Sequence, residues 1–250
     1  MPLRSFMSRV GGKSRLAKKI LAKFPKEFST YTEAFIGGGS LFMLKEPSKR
    51  EVISDTNKNI FHIWSDMKRV GDQVATMKFS CSKQEFERLK KLKTTDPVTR
   101  LYRNLYINKM SFGGLGLNVK VNAAKFCKGK IGQYIKSNAS KIKDRLKHVL
   151  IKNQDWKKIV TKYDGFGTMH YLDPPYESAA ADWLYKPMKA TDLIKTLKRI
   201  KGKFLLSFED TTSTRKTFQN AGFRVERIKT SYSIQPLKSV NKSELIVMNY

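Results

Sequence analysis

Acid is scarce in this chain. Of 250 residues only 21 are Asp or Glu, against 50 Lys or Arg, which leaves a formal charge of +29. Cysteine is scarcer still: Cys81 and Cys127 fit neither a disulfide framework nor a zinc spacing. The three histidines, His62, His148 and His170, are isolated, which argues against a histidine-built metal centre or protease site and leads us to expect no metal. No apolar run approaches the ~20 residues that a spanning helix needs, and Met1–Phe6 opens no signal-peptide pattern. The expectation is a soluble, intracellular (cytoplasmic) protein with no membrane attachment. Internal repeats and low-complexity linkers are lacking as well.

What is present suffices for a core. Hydrophobic residues make up 40% and aromatics 11%, which excludes a disordered tail protein. The length suits one large domain, or one domain carrying a smaller insertion. So large an excess of one charge repels itself and makes sense beside a polyanion, with nucleic acid the first candidate and an anionic membrane surface the second. The charge is also uneven. Residues 97–143 hold no acid but ten basic side chains: Arg100, Arg103, Lys109, Lys120, Lys125, Lys128, Lys130, Lys136, Lys141 and Lys143. A solvated face normally mixes both signs. Here one sign is missing and Tyr102, Tyr106, Phe112, Phe126 and Tyr134 are interleaved, a pattern that favours contact with phosphates.

The two ends of the chain alternate strand and helix patterns. Apolar positions recur at helical spacing through Ser14–Phe24, and Pro25 ends them. Strands are expected at Tyr31–Ile36 and Glu51–Asp55, helices at Leu41–Lys45 and Asn59–Val70. This βαβ rhythm favours a parallel sheet with crossover helices. Lys83–Lys93, Val98–Asn108 and Ala139–His148 read as helices, with Gly113–Gly116 as a loop. Strands return at Val149–Lys152, Thr168–Leu172, Phe204–Phe208, Phe223–Thr230 and Glu244–Met248, the last three suggesting a sheet edge with an antiparallel hairpin. The fold expected is α/β, a Rossmann-like sheet formed by residues 1–59 and 146–250 and interrupted by a mostly helical basic insertion at 60–145.

Asp173-Pro174-Pro175-Tyr176, after the β-prone Tyr171-Leu172, is the most informative stretch. Proline fixes φ and lacks an N–H, so the turn is stiff and its carbonyls remain acceptors. Asp173, preceding a proline, is pushed out of the helical region. A carboxylate, a carbonyl and a ring then project where open α/β sheets place ligands. Such acceptors suit an exocyclic amino group, and Tyr176 suits stacking on a base. An ordinary strand-ending turn is the plainer reading of the same residues. Glu33-Ala34-Phe35-Ile36-Gly37-Gly38-Gly39-Ser40 is a strand, glycine loop and helix start. It is not the dinucleotide fingerprint, whose third glycine would fall at Phe42. Asp55 ends the next strand, 16 residues beyond Gly39, in the position that binds ribose hydroxyls in nucleoside-binding α/β folds. Gly11-Gly12-Lys13-Ser14 carries the tail of a P-loop, but Met7 stands where its first glycine belongs and little chain precedes it for a strand.

Taken together the motifs resemble the Dam-like family of DNA adenine-N6 methyltransferases. Phe6–Lys13 is similar to the family's F-x-x-W-x-G-G-K and Thr32–Phe42 to its E-P-F-x-G-x-G-S. Ile53–Asn57 is similar to its D-x-N strand, Leu105–Lys109 to its L-x-N-R helix, and Asp173–Tyr176 to its D-P-P-Y. The resemblance implies an S-adenosylmethionine site formed by Arg9, Gly11, Gly12, Lys13, Glu33, Phe35, Gly37, Gly39, Asp55 and Asp173. Asp155 stands in the place of the family's acid near the cofactor adenine. Two departures stand out: Arg9 replaces the family tryptophan, and E-P-F has become E-A-F.

The activity implied is methyl transfer from S-adenosylmethionine to the N6 of an adenine flipped out of duplex DNA. N6 is a poor nucleophile, so positioning and polarisation are the enzyme's main tasks. Asp173 and the Pro174 carbonyl are expected to accept the two N6–H bonds, with Pro175 stiffening the turn and Tyr176 stacked on the ring. Contacts to DNA are expected from Asn108, Lys109, Phe112, Gly113, Leu117, Asn118, Lys120, Lys125, Lys128 and Lys130. Phe112 occupies the position of an aromatic wedge. Leu117 or Asn118 stands where the family carries a guanine-reading arginine, so a strict GATC preference is not expected. Methylation of RNA adenine, or an inactive basic DNA-binding module, are the alternatives. Nothing in the residues bears on a cognate restriction nuclease.

Overall fold

The computed structural model describes residues 3–9, 11–79, 82–114, 116, 130–176, 186–235 and 238–250. The strands are β1 (Thr30–Glu33), β2 (Arg50–Ser54), β3 (Leu150–Lys152), β4 (Thr168–Leu172), β5 (Lys203–Glu209), β6 (Arg224–Gln235) and β7 (Lys238–Met248). The α-helices are α1 (Ala17–Leu21), α2 (Ser40–Leu44), α3 (Lys58–Val70), α4 (Lys83–Lys91), α5 (Pro97–Met110), α6 (Lys130–Leu146), α7 (Trp156–Tyr163), α8 (Ala190–Leu197) and α9 (Thr212–Asn220). Among these described residues no helix is long and apolar enough to cross a membrane. The chain divides into two compact units.

One unit comprises Arg15–Ile36, Ser48–Ser54 and Gln154–Tyr250. Six strands cross it in the order β2-β1-β4-β5-β7-β6. β2, β1, β4 and β5 run parallel, and β7 pairs antiparallel with both β5 and β6. The sheet is fed by β-branched and aromatic residues and buried on both faces, so β4 shows no polar alternation and every one of its positions is buried. Trp156, Ile159, Val160, Leu193, Leu197, Phe204, Leu206, Phe208 and Phe218 fill the core. Chain order reverses between β1 and β4: β1 leads to β2 on one side, and β4 leads to β5 on the other. Ligands of open α/β sheets bind beyond the carboxyl ends of the strands at such a switch point.

The other unit comprises Met1–Ser14, Gly37–Pro47 and Asp55–Asn153 and is mostly helical. Helices α3, α4 and α5 each start with a side-chain cap. Asn57 accepts the N–H of Asn59 and Ile60, Ser82 that of Glu85, and Asp96 that of Thr99 ahead of Pro97. Phe86, Leu89, Tyr106 and Met110 join α4 to α5. Arg100 on α5 grips Asp66 on α3 with two hydrogen bonds of 2.8 and 2.7 Å. Asp66 is buried, so the bidentate guanidinium is what makes a charge tolerable there. The expected insertion 60–145 falls wholly within this unit, which also takes in the amino-terminal segment and the glycine loop.

Boundaries moved where the sequence signals were weak. α1 is shorter than Ser14–Phe24, and β1 stops at Glu33 because the chain turns into the glycine loop. α6 begins nine residues before Ala139, through Gly132, a residue that ordinarily argues against a helix interior. β6 and β7 are both longer than expected and form the antiparallel hairpin.

Candidate active site

In the mostly helical unit, residues 5–9 lie against the glycine loop. Ser5 Oγ donates to the carbonyls of Met7 and Gly38, the latter a short contact. Phe6 meets Trp64 edge to face with centroids 4.8 Å apart, and Phe42 meets the same indole at 5.8 Å. The Trp64 Nε1–H in turn donates to the Gly37 carbonyl at 3.0 Å. Gly37 and Gly39 take φ of +43° and +61°, values that a side chain would resist. The loop thereby turns the Gly37 N–H onto Asp55 Oδ2 at 3.1 Å. Asp55 Oδ1 accepts from Asn57 N at 2.9 Å.

Asp55 is buried, and burial is the main reason its carboxyl titrates above the usual carboxylate range. The two N–H bonds and the charge of Arg9 pull the other way. Arg9 is itself lowered by burial and held up by Asp55. The residue standing in place of the family's tryptophan is thus the cation beside the carboxylate expected to bind ribose. Gly11 and Gly12 are exposed, while Lys13 is buried with Nζ 3.0 Å from the Gly11 carbonyl.

Two expected DNA contacts are placed elsewhere. Asn108 is buried and clasps Ser8: its Oδ1 accepts the Ser8 N–H at 2.8 Å and its Nδ2 donates to the Ser8 carbonyl at 2.9 Å. Lys109 is buried too, with Nζ 3.4 Å from Ser8 Oγ. α5 buries Leu101, Asn104, Leu105, Tyr106, Asn108, Lys109 and Met110, more than one helical stripe, so its polar residues are enclosed along with its apolar ones. Gly113 and Gly114 turn the chain after it with φ of +59° and +73°. Leu117, Asn118, Lys120, Lys125 and Lys128 lie outside the described residues, as do the side chains of Phe112 and Lys130.

In the sheet unit, β4 delivers Asp173, Pro174, Pro175 and Tyr176 at its carboxyl end. The turn is pinned by Met188 N–H donating to the Pro175 carbonyl at 3.0 Å. The Tyr176 hydroxyl lies 3.0 Å from Asp173 Oδ1 and makes a short hydrogen bond with Glu244 on β7. Its ring packs on Phe208 at 5.2 Å. Burial first, then the charges of Asp173 and Glu244, hold this hydroxyl well above the ordinary tyrosine range, so it stays protonated. Tyr171, raised mainly by burial, feels Asp173, Glu33 and Glu244 together. Glu33 is buried and accepts the Tyr31 hydroxyl at 2.7 Å. Three carboxylates from β1, the end of β4 and β7 therefore converge in a protein of charge +29.

Phe35 packs on Trp156 at 6.0 Å. Asp155 is exposed and caps α7, accepting the Lys157 N–H at 2.8 Å. Sequence reasoning passed over Ser8, Trp64 and Glu244. Only Glu244 left a signal, an acid opening the apolar run Leu245–Met248 on a core strand. Among the described residues, no three His, Cys, Asp or Glu side chains gather as a metal site.

Comparison with known proteins agrees with this chemistry. The DNA adenine methylase of Haemophilus influenzae is 25% identical across 98% of this chain and 93% of its own length. That of Escherichia coli K12 is 24% identical across 92% and 89%. The type II methyltransferase M.MjaIII of Methanocaldococcus jannaschii is 26% identical across 71% and 70%. Among solved structures, the precorrin-6y C5,15-methyltransferase of Geobacter metallireducens covers 94% of this chain and 87% of its own, with a TM-score of 0.41 and 8% identity. The sequence profile of the D12 class N6 adenine-specific DNA methyltransferases matches residues 10–234, and the chain belongs to that family of S-adenosylmethionine-dependent enzymes.

Proposed function

We propose that the chain methylates the N6 of an adenine rotated out of duplex DNA, with Asp173 and Pro174 as the groups that polarise the amine. The observation that carries this is the stiff Asp173–Tyr176 projection at the carboxyl end of β4, beside the strand where chain order reverses. The donor set fits the cofactor. S-adenosylmethionine brings a sulfonium and an ammonium, both cations, and the sheet unit offers the carboxylates of Glu33 and Asp173. In the helical unit, each Asp55 oxygen already holds one backbone N–H and keeps a lone pair for a ribose hydroxyl. When bound, the cofactor supplies a methyl group already activated for transfer.

The protein's own contribution is placement. Asp173 accepts one N6–H through its carboxylate, and the Pro174 carbonyl accepts the other. Both bonds draw electron density onto nitrogen and orient its lone pair. The Pro175 carbonyl, committed to Met188, keeps the turn from rotating. The Tyr176 ring is the stacking surface for the extruded base. Asn108 and Lys109 act from inside, holding Ser8 and with it the segment that carries Arg9–Lys13, while the acid-free stretch 97–143 supplies phosphate contacts. A role as one half of a restriction-modification pair suits the type II relative. Transfer of a labelled methyl group to duplex DNA, with single-stranded RNA in parallel, tests the reading. Incorporation into duplex DNA as N6-methyladenine is expected, and incorporation into RNA alone would replace it.

A further inference from the structure

Methyl transfer leaves N6 with one proton too many, and the arrangement around Tyr176 offers that proton a route. The Tyr176 oxygen is 3.0 Å from Asp173 Oδ1 and hydrogen-bonded to Glu244 Oε1. One hydroxyl proton cannot serve both carboxylates at once, so the Tyr176 oxygen stands as a bridge between them. Glu244 is buried at 5% exposure on a core strand whose next four residues are all buried and apolar. A carboxylate in such a place is costly unless partnered, and the Tyr176 hydroxyl is one of its partners.

We infer that Glu244 is the terminal station of a proton relay running Asp173–Tyr176–Glu244, and that it acts through Tyr176 without touching the base. This rests on the reading of Asp173 as the acceptor of an N6–H bond. As the N6–carbon bond forms, the methyl's bond to the cofactor's sulfur breaks and sulfur keeps the electron pair. Nitrogen, now positive, gives a proton to Asp173. Asp173 Oδ1 passes a proton to the Tyr176 oxygen while Tyr176 passes its own to Glu244 Oε1. Asp173 and Tyr176 finish as they began, the amine is neutral, and Glu244 carries one proton to be lost to water before the next turnover. Phe208, packed against the tyrosine ring, keeps the hydroxyl on this line.

Two variants test the relay. Glu244→Gln keeps the size and an acceptor oxygen but removes the base, and Tyr176→Phe keeps the stacking ring but removes the bridge. Each is expected to lower kcat on unmethylated genomic DNA by on the order of 10²-fold, the lower range for a positioned proton-transfer group. The double variant should lose no more than either single one, because a broken chain is broken once. Cofactor affinity measured by calorimetry should move by less than about twofold, as should the thermal midpoint of the free protein by less than a few degrees. The solvent deuterium effect on kcat and the ascending limb of the pH profile should both change in the variants. Among the described residues, the ionisable groups near Glu244 include Asp173, Tyr171 and Tyr176, with Glu209 opposite it on β5. A Glu244→Gln enzyme within about threefold of the parent, additive losses in the double variant, or losses with an unmoved pH profile would each overturn the relay. A parent enzyme that methylates no DNA would instead overturn the reading on which the relay rests.

Discussion

Asn108 holds Ser8 by both of its main-chain groups, accepting the N–H at 2.8 Å and donating to the carbonyl at 2.9 Å, as one strand residue holds another. The two lie 100 positions apart. A residue that the family resemblance assigns to the DNA face is here a clasp, and what it fastens is the run that leads into Arg9 and Lys13. Asn108→Ala should therefore destabilise the protein by about 1–3 kcal/mol, since it strands two half-buried main-chain groups. It should also raise the KM for S-adenosylmethionine more than it weakens DNA binding. Asn108→Asp should be at least as damaging, because a carboxylate cannot donate to the Ser8 carbonyl. Denaturant melts and a nitrocellulose DNA-binding assay separate the two effects; a loss of DNA affinity with unchanged stability would return Asn108 to the DNA surface.

Gly114 completes the same clasp. A Cβ there would lie 2.1 Å from the Ser8 carbonyl oxygen and 2.5 Å from Asn108 Nδ2, on a backbone with φ of +73°. Gly11 has nearly the same φ, +76°, but nothing within 4 Å. Gly11→Ala should cost only the left-handed strain, about 1–2 kcal/mol. Gly114→Ala must in addition push backbone apart and should cost distinctly more. Equal melting shifts in the two variants would show that the contact at Gly114 yields without penalty.

The sheet was legible because its evidence is local. Alternating strand and helix patterns place β2, β4 and β5 to within a residue, and the hairpin of β6 and β7 follows from the spacing of its apolar runs. Asp173–Tyr176 was legible for the same reason: two prolines and an acid at a strand end leave little conformational choice. Asp155 carries a second local signal beside the one taken from the family resemblance. An acid immediately before an eight-residue helix is a cap signature, and its carboxylate is in use as one. The fates of Asn108 and Lys109 were not legible at all, and Glu244 showed only as an acid opening an apolar run. Their burial depends on partners a hundred or more residues away, or across a sheet, and charged or amide side chains are exposed by default. Arg9 could be noticed as a departure, but its nearness to Asp55 emerges only when the amino-terminal segment is laid against the glycine loop.

That nearness makes a prediction about pH. Burial raises the Asp55 carboxyl, while Arg9 and the N–H groups of Gly37 and Asn57 restrain the rise. An acid with a raised folded pKa costs stability when ionised, and the cost is relieved as pH falls through that pKa. Cofactor binding runs the opposite way if Asp55 holds the ribose hydroxyls as proposed, because they need the ionised form. Affinity for S-adenosylmethionine should therefore decline on acidification sooner than an ordinary aspartate would dictate. Arg9→Ala removes the nearby cation and should move the decline to still higher pH, whereas Asp55→Asn should flatten it at uniformly low affinity. Calorimetric titrations between about pH 5 and 8 measure this; an unchanged midpoint in Arg9→Ala would mean that the guanidinium does not act on Asp55.

Asp173→Ala separates catalysis from binding. If Asp173 polarises N6 and the basic stretch 97–143 supplies affinity, as proposed, methyl transfer should fall by about 10²–10⁴-fold with DNA retention close to that of the parent. Stability should change little, because Asp173 stands at the end of β4 and not inside the sheet. A variant keeping more than roughly a tenth of the activity would remove Asp173 from the role.

Charge gives the last test. The protein carries +29 overall, and residues 97–143 contribute ten cations and no anion. Some of that charge is spent internally: Arg100 is committed to Asp66, Arg103 to the carbonyls of Leu89 and Lys90, and Lys143 to Asp72. Lys109 is buried. Lys120, Lys125, Lys128, Lys130, Lys136 and Lys141 are the six cations of the stretch expected at phosphates, the first four with side chains outside the described residues. Each phosphate neutralised releases condensed counterions, so log affinity falls linearly with log salt at a slope of about −0.9 per contact. Six contacts predict a loss of roughly 10³-fold between about 50 and 200 mM salt, near the lower end of the range for such proteins. Replacing Lys136 and Lys141 together by Gln should reduce the slope by about two contacts' worth while leaving kcat at saturating DNA unchanged. A slope near zero in the parent would remove the stretch from the DNA surface, and a slope near −9 would mean that cations elsewhere on the chain share the phosphate backbone.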